Sequence, residues 1–258
     1  MATRAETRPE RLAERLVRAV RARTSIAPLT ADDPDLSPEE AYQVQDLVVE
    51  ALGGPEAAKL GLTSKAKQQQ MHVDSPLSAW LPSGSRLRPG EPLVVVDLIQ
   101  PRVEPEIAFV LGADLTGPAT VADVLAATER VVPAIDVLDS RFVGYGFTLP
   151  DVVADNGSAA RYVLGGPGAP VDGIDLRLVG CVFERNGEVV ATAAGAAVLG
   201  HPAAAVAWFA GQLASRGRTL AAGTTVLAGS LTAAVAVGPG DVVRATLDRI
   251  GTVEVTCR

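Results

Sequence analysis

Two glutamates spaced two residues apart, Glu104 and Glu106, are the side chains with the clearest capacity for chemistry in this sequence. They lie in the run R-V-E-P-E-I-A-F-V-L (residues 102–111), which is otherwise largely apolar. Because side chains alternate faces along a strand, both carboxylates would project from one face about 7 Å apart. Carboxylate oxygens held in this way suit a hard divalent cation such as Mg²⁺ or Mn²⁺. The pattern alone also fits a solvated strand end, and Pro105 predicts a strand start or an edge strand.

An aspartate and a lysine in apolar surroundings could complete such a site. Asp136 lies in V-V-P-A-I-D-V-L (residues 131–138), where a carboxylate is normally paired or coordinating, because an unpaired buried charge costs several kcal/mol. Lys59 opens the run K-L-G-L-T-S-K-A-K (residues 59–67), where burial would adapt it to acid–base chemistry, although most lysines are simply solvated. Asp139 and Arg141 are expected to form a structural ion pair.

Two further segments carry polar groups with weaker signals. The loop D-V-V-A-D-N-G-S (residues 151–158) could hydrogen-bond a carboxylate ligand, but its Asp and Asn residues also favour Asx turns. His201 precedes Pro202 in a small-residue segment, which favours a structural role at a helix start. The sequence has no nucleophile elbow, P-loop or dinucleotide fingerprint.

Composition limits the class of protein. With 258 residues, 48% hydrophobic and 21% charged, the chain can bury a substantial core as a single domain. A net charge of −7 without any Lys/Arg cluster argues against a nucleic-acid partner. Two cysteines cannot form a disulfide framework, and no signal-like or membrane-spanning segment is visible, so a cytoplasmic protein without membrane association is expected.

The elements that must position these residues divide the chain into two regions. Apolar periodicity and capping residues predict helices over residues 9–22, 38–52, 64–71, 121–129 and 202–216. Strands are predicted over residues 93–98, 106–111, 131–138, 176–183, 242–247 and 252–257, and Asn186-Gly187 predicts a hairpin turn. The prediction is an α+β fold in one catalytic domain, 1–258, with a helical cap over residues 1–85 and a β-rich metal-binding core over residues 86–258.

The order of the segments resembles one known family. The runs K-L-G-L-T-S-K-A-K, R-V-E-P-E-I-A-F, P-A-I-D-V-L-D-S-R-F, V-V-A-D-N-G-S and G-A-A-V-L-G-H-P, followed by L-A-G-S-L-T and P-G-D, are similar to the 2-keto-4-pentenoate hydratase and 4-oxalocrotonate decarboxylase family. This family belongs to the fumarylacetoacetate hydrolase superfamily, and the resemblance covers residues 28–255. It implies a mixed, mostly antiparallel β-sandwich or β-roll core with an N-terminal helical cap, a divalent metal, and a 2-oxo or 2-hydroxy dienoate substrate.

The resemblance also implies roles for individual residues. Glu104 and Glu106 match the family's metal ligands, and Asp136 stands where its members usually have a third carboxylate, a glutamate. Aspartate is one methylene shorter, so its oxygen would retreat by roughly 1 to 1.5 Å unless the backbone or a bridging water compensates. Lys59 matches the family's active-site lysine. Substrate-binding positions are implied for Ser158 and, with weaker matches, for Thr63 and Ser64.

Leu77 distinguishes the two branches of the family. Hydratases that resemble this chain typically have an aspartate after the proline of the segment V-D-S-P (residues 73–76), where this sequence has Leu77. An apolar side chain there would favour loss of charge at a departing carboxylate. The prediction is a Mg²⁺- or Mn²⁺-dependent decarboxylase of a 2-oxo-3-enedioate, with a 2-hydroxypenta-2,4-dienoate hydratase as the alternative.

A third hypothesis belongs to another class: a repurposed, non-catalytic family member that binds small acids. The reasons to consider it are the replacement of a glutamate ligand by Asp136 and the departure of residues 73–80 from the family's pattern. The resemblance further implies a homo-oligomer, and association with a related hydratase is an additional expectation.

Overall fold

The helices begin at side chains that cap their first turn. The computed structural model describes residues 5–71 and 73–258. Thr7 and Ser37 form capping boxes with Glu10 and Glu40, and Ser64 accepts a hydrogen bond from the Lys67 backbone N–H. The helices are α1 (Arg8–Ala22), α2 (Pro38–Ala51), α3 (Lys65–Gln70), α4 (Val121–Ala127), α5 (Leu149–Ala154) and α6 (Pro202–Ser215). None of these helices within the described ranges is both long and apolar enough to cross a bilayer.

The strands form two sheets. They are β1 (Pro55–Gly61), β2 (Leu77–Pro82), β3 (Arg86–Leu87), β4 (Arg102–Leu111), β5 (Thr128–Leu138), β6 (Ala159–Leu164), β7 (Gly180–Arg185), β8 (Glu188–Ala194), β9 (Thr225–Ser230), β10 (Val235–Ala236), β11 (Val242–Leu247) and β12 (Gly251–Thr256). The larger sheet has the order β2-β1-β9-β4-β5-β6-β3, with β10 also paired to β4, and the smaller has the order β12-β11-β7-β8. The pairs β1–β9 and β3–β6 are parallel and the others antiparallel, so the predicted mixed, mostly antiparallel α+β fold is confirmed.

Two of the three apolar clusters among the described residues join helices to the sheets. One joins both sheets to α4 and α6 and includes the fully buried Phe109, Phe183 and Phe209. The other packs α1, α2 and α5 on β2 and includes Leu77 and Phe142. The N-terminal helices are therefore attached to the large sheet through the strand that carries Leu77.

The region predicted as a helical cap, residues 1–85, contains strands as well as helices. Helices α1, α2 and α3 occupy this region, but β1 and β2 also lie in it and belong to the large sheet. Four consecutive residues of β1 are buried, so its sequence shows no alternation of apolar and polar residues. The extents of the two regions within one domain stay a prediction.

Other boundary errors have local causes. Residues 93–98 are not a strand: Leu93 forms a single bridge with Cys257, and Val95–Asp97 is a short 3₁₀ turn. Residues 176–179 precede β7 rather than belonging to it, whereas Asn186 and Gly187 form the predicted hairpin turn with positive φ. Pro105 is in a central strand, not at an edge. It is tolerated because β10 pairs with β4 before it and β9 pairs after it.

Strand register brings distant residues to one place. Glu104 of β4 lies directly opposite Asp136 of β5, and Glu106 lies opposite Ala134 on that side and Ser230 of β9 on the other. Lys59 of β1 pairs with Leu227 of β9. The neighbouring strands β1, β9, β4 and β5 therefore form the floor of the candidate site.

Candidate active site

Three buried carboxylates meet on the large sheet. Oxygens of Glu104, Glu106 and Asp136 lie within 4.8 Å of one another, and all three residues are buried. Like charges directly opposite each other in a sheet are destabilising unless a cation compensates for them. The sequence prediction that these three residues would come together agrees with this geometry.

Two lysines neutralise part of this charge. Lys59 Nζ forms an ion pair with Asp136 Oδ2, and Lys67 Nζ lies 2.8 Å from Glu104 Oε1. Glu106 has no lysine of its own among the described residues, and its Oε2 accepts a hydrogen bond of 2.7 Å from the Gly229 backbone N–H. Three carboxylates therefore face two ammonium groups, and in the ranges that the structure describes Glu106 is the carboxylate without an ammonium partner.

Two carboxylate oxygens of the cluster have no hydrogen-bond donor among the described residues and are free to bind a metal. Glu106 Oε1 and Asp136 Oδ1 are buried and have no hydrogen-bond partner within residues 5–71 and 73–258. A buried acceptor without a donor is costly, whereas carboxylate oxygens are the preferred ligands of Mg²⁺. The shorter side chain of Asp136 still brings an oxygen into the cluster, because its strand position is directly opposite Glu104. The donor set therefore fits a hard divalent cation.

Burial and mutual repulsion shift the protonation equilibria. Burial, together with the charge of Asp136, holds the pKa of Glu106 well above its usual range. Burial also raises the pKa of Asp136, although the Lys59 ammonium opposes the shift. Burial would lower the pKa of Lys67, but the nearby carboxylates, Glu104 first, outweigh burial and raise it. The cluster thus favours bound cations, whether protons or a metal.

A cavity of about 340 Å³ opens beside the cluster. Among the residues predicted from sequence, its lining includes Lys59, Thr63, Leu77, Glu104 and Ser158. Glu106 and Asp136 are fully buried and do not line it.

The serines predicted to bind substrate differ in position. Ser158 lines the cavity and its hydroxyl donates to Asp155 Oδ2 at 3.2 Å. Ser64 is not part of the lining, and its hydroxyl oxygen instead accepts the Lys67 backbone N–H at 3.2 Å as the helix cap of α3.

Several residues that line the cavity were not predicted as site residues. They are Lys67, Arg102, Tyr145 and Ser230, among others. Arg102 had a readable signal, because it precedes Glu104 by two residues and so shares the face of Glu104 and Glu106. Its guanidinium carbon lies 4.0 Å from the centre of the Tyr145 ring, and within the described part of the chain it forms no ion pair. Tyr145 reaches the site from a turn about forty residues away, which no local pattern indicates.

Two structural expectations had different outcomes. Arg141 pairs with Asp155, not with Asp139, and Asp139 accepts hydrogen bonds from the backbone N–H groups of Ile99 and Gln100. The predicted Asp139–Arg141 ion pair is therefore wrong. His201 caps α6 as expected: its Nδ1 accepts from the Ala203 backbone N–H at 3.1 Å.

Comparison with known proteins gives consistent matches. The model of the fumarylacetoacetate (FAA) hydrolase C-terminal family matches residues 51–258. A 4-oxalocrotonate decarboxylase of Pseudomonas putida is 42% identical over 247 residues, 94% of each chain. A 2-keto-4-pentenoate hydratase of Paraburkholderia xenovorans is 40% identical over 249 residues, 95% of this chain and 93% of the hydratase.

A solved structure extends the likeness to three dimensions. The 4-oxalocrotonate decarboxylase from Pseudomonas putida G7, complexed with magnesium and adipate, superposes with a TM-score of 0.93 at 40% identity. The match covers 99% of this chain and all of that one. Decarboxylases and hydratases are thus both represented among proteins with similar sequences.

Proposed function

The chain belongs to the fumarylacetoacetate hydrolase family, and we propose that it is a divalent-metal-dependent decarboxylase. Its substrate would be a 2-oxo-3-enedioate of the 4-oxalocrotonate type, and its products a 2-hydroxydienoate and carbon dioxide. The observation that carries the proposal is the buried cluster of Glu104, Glu106 and Asp136, in which three carboxylates have only two ammonium partners among the described residues, beside a cavity lined by cationic side chains.

The cofactor proposed is Mg²⁺ or Mn²⁺, held by Glu104, Glu106 and Asp136. When bound, such an ion supplies Lewis-acid polarisation of the substrate's 2-oxo group. Magnesium is present in the similar decarboxylase structure, and the unpartnered oxygens of Glu106 and Asp136 support the same role here. Adipate, bound in that structure, is a six-carbon dicarboxylate, as the proposed substrate is.

Lys59 is proposed to orient the substrate and to supply a proton. In the reaction, the bond from C5 to the departing carboxylate breaks and its electron pair forms the C4–C5 double bond. The C3–C4 pair moves to C2–C3, and the oxygen on C2 takes the negative charge. Two acceptors, Asp136 and the Gly157 carbonyl, hold the Lys59 ammonium at the cavity wall, where it can donate a proton to that oxygen.

The walls of the cavity would determine what happens at the other end of the substrate. Leu77 is buried and lines the cavity, so it would exclude water from the departing carboxylate and favour its loss as neutral carbon dioxide. Thr63 and Ser158 are proposed as polar contacts to the substrate. Ser64, which caps α3, is proposed to act only by fixing the start of the helix that carries Lys67.

A direct assay tests the proposal. The protein is incubated with 2-oxo-3-hexenedioate and Mg²⁺, and carbon dioxide release is measured together with the dienoate product. We expect release that requires the metal and disappears on treatment with a chelator. Absence of release from the metal-loaded protein would refute decarboxylation.

Hydration of 2-hydroxypenta-2,4-dienoate is the second candidate. It is supported by the 40% identity to a hydratase and by the fact that the same metal and lysine would serve either reaction. A hydratase would consume the dienoate without release of gas.

Calorimetric titration addresses the non-catalytic alternative: failure to bind Mg²⁺ in the presence of oxalate would favour it. A homo-oligomer, and association with a related hydratase, stay predictions that sedimentation analysis can test.

A further inference from the structure

A three-residue turn beside Lys59 has an unusual backbone. Asn156, Gly157 and Ser158 all have positive φ, of 53°, 59° and 57°. Residues other than glycine rarely adopt this left-handed conformation, and they keep it only where the surroundings impose it. The surroundings of this turn should therefore contain the groups that hold it.

The amide side chain of Asn156 clamps the turn to β2. Its Nδ2 donates to the Trp80 carbonyl at 2.6 Å, and its Oδ1 accepts the Trp80 backbone N–H at 3.0 Å. Asn156 is 1% exposed, so water does not compete for these bonds. One end of the turn is thus fixed to a strand by a two-point contact.

The other contacts close the turn from the opposite side. The Ser158 carbonyl accepts the Asp139 backbone N–H at 2.8 Å, and the Ser158 hydroxyl donates to Asp155, which is itself paired with Arg141. These bonds fix where the turn ends, whereas Asn156 fixes where it begins.

The clamped turn presents a carbonyl to Lys59. Gly157 O accepts a hydrogen bond from Lys59 Nζ at 3.2 Å. Lys59 of β1 lies opposite Ala79 of β2, the residue next to Trp80, so the clamp and the lysine share one pair of strands. A Cβ on Gly157 would lie 3.1 Å from Ala79 Cβ and 3.2 Å from Leu77 Cδ1, so the turn lies closely against this strand.

We propose that Asn156 is a positioning residue for Lys59. By holding the left-handed turn on β2, it places the Gly157 carbonyl so that the ammonium is shared between that oxygen and Asp136. An ammonium has three N–H groups, so this arrangement directs two of them and leaves one for the substrate. The proposal rests on the function proposed above, in which Lys59 acts on the substrate.

Asn156→Gly isolates the clamp, because glycine adopts positive φ without strain and only the amide is lost. We expect kcat for decarboxylation to fall by about tenfold or more while KM stays within about threefold, since a shift of about 1 Å in a reacting group can cost about a hundredfold. The second readout is reductive dimethylation followed by peptide mass spectrometry. Modification of Lys59, measured relative to exposed Lys65, should become faster in the variant.

Asn186→Gly is the matched control. Asn186 also has positive φ, 55°, and its amide also forms two hydrogen bonds, with Asp241 and the Val242 backbone, but it lies in the β7–β8 hairpin of the smaller sheet. Its substitution removes the same groups away from the site, so it should leave kcat and Lys59 modification unchanged. Thermal unfolding of both variants compares the structural cost.

The two proposals fail in different ways. If the wild-type protein releases no carbon dioxide, the proposed function is refuted, but Lys59 modification still tests the positioning. An unchanged rate of Lys59 modification in Asn156→Gly overturns the positioning role whatever the activity. An equal fall of kcat in Asn186→Gly overturns it as well, because the effect would then be one of general stability.

Discussion

Replacing Glu106 by glutamine should change the stability of the metal-free and metal-loaded protein in opposite directions. Glu106 holds the excess charge of the cluster, whereas Glu104 and Asp136 each have a lysine. Glutamine has the same shape, and its carbonyl can still accept the Gly229 N–H that now bonds to Glu106. The substitution therefore removes a charge and little else.

The magnitude follows from the spacing of the oxygens. At 4.8 Å, two carboxylates repel each other by about 3.5 kcal/mol at an effective dielectric constant of about 20. Glu106 faces two such neighbours, and the two ammonium groups offset much of the repulsion. We expect a net gain of about 1–3 kcal/mol in the free energy of unfolding of the metal-free protein, a rise in Tm of roughly 3–10 °C.

The pH of the unfolding experiment matters because the pKa of Glu106 is raised in the folded protein. Folding raises the pKa of Glu106, so its ionisation destabilises the folded protein progressively as the pH rises from the unfolded to the folded pKa. The gain in the variant should therefore increase as the pH rises and be greatest above the folded pKa, so unfolding is measured over a series of pH values. The same substitution should weaken Mg²⁺ binding by about a hundredfold or more, about 2.7 kcal/mol.

Thermal unfolding without metal and calorimetric titration with Mg²⁺ measure the two effects. Glu104→Gln and Asp136→Asn are the controls: each leaves a lysine without its partner, so neither should raise the Tm of the metal-free protein. A lower Tm of metal-free Glu106→Gln, or Mg²⁺ affinity equal to wild type, would refute the assignment of the excess charge and of the ligand.

Three further predictions concern the cavity and the fold. Leu77→Asp should reduce carbon dioxide release by about tenfold or more, because the charged side chain brings water to the cavity wall beside the departing carboxylate. Leu77→Met, tested alongside it, should retain most activity. Arg102 lines the cavity, and we expect it to bind the carboxylate that an enedioate has and a monocarboxylic dienoate lacks. Arg102→Leu should therefore raise KM for the enedioate by about tenfold, because a charged hydrogen bond contributes about 1.5–3 kcal/mol, and should change KM for the monocarboxylic dienoate less. Equal effects on both substrates would contradict this role. Burial lowers the pKa of His201 in the folded protein. Protonation of its Nδ1 removes the acceptor for the Ala203 backbone N–H. The free energy of unfolding should therefore fall by about 1 kcal/mol as the pH falls through the folded pKa of His201. In His201→Asn the side chain still caps the helix but does not titrate. The denaturant midpoint of this variant should therefore not show the decrease at low pH that protonation of His201 causes.

Local sequence patterns predicted several features well. Apolar periodicity located α1, capping residues located the starts of α2 and α6, and Asn186-Gly187 located a hairpin. These signals are readable because each involves groups within a few residues of one another. Strand β1 was missed because it is buried on both faces, and an alternating pattern exists only where one face is exposed.

For the site, the sequence by itself determined which acidic side chains share a face, and the resemblance of its ordered segments indicated the family and the roles of Lys59, Glu104, Glu106 and Asp136. Only the tertiary structure decided how the charges are shared: Lys59 with Asp136, Lys67 with Glu104, and neither with Glu106. These pairs join residues 37 or more positions apart, and their partners depend on the order and register of the strands. Sequence spacing fixes contacts within one strand or turn, whereas contacts between strands of a sheet are set by the packing of the whole chain.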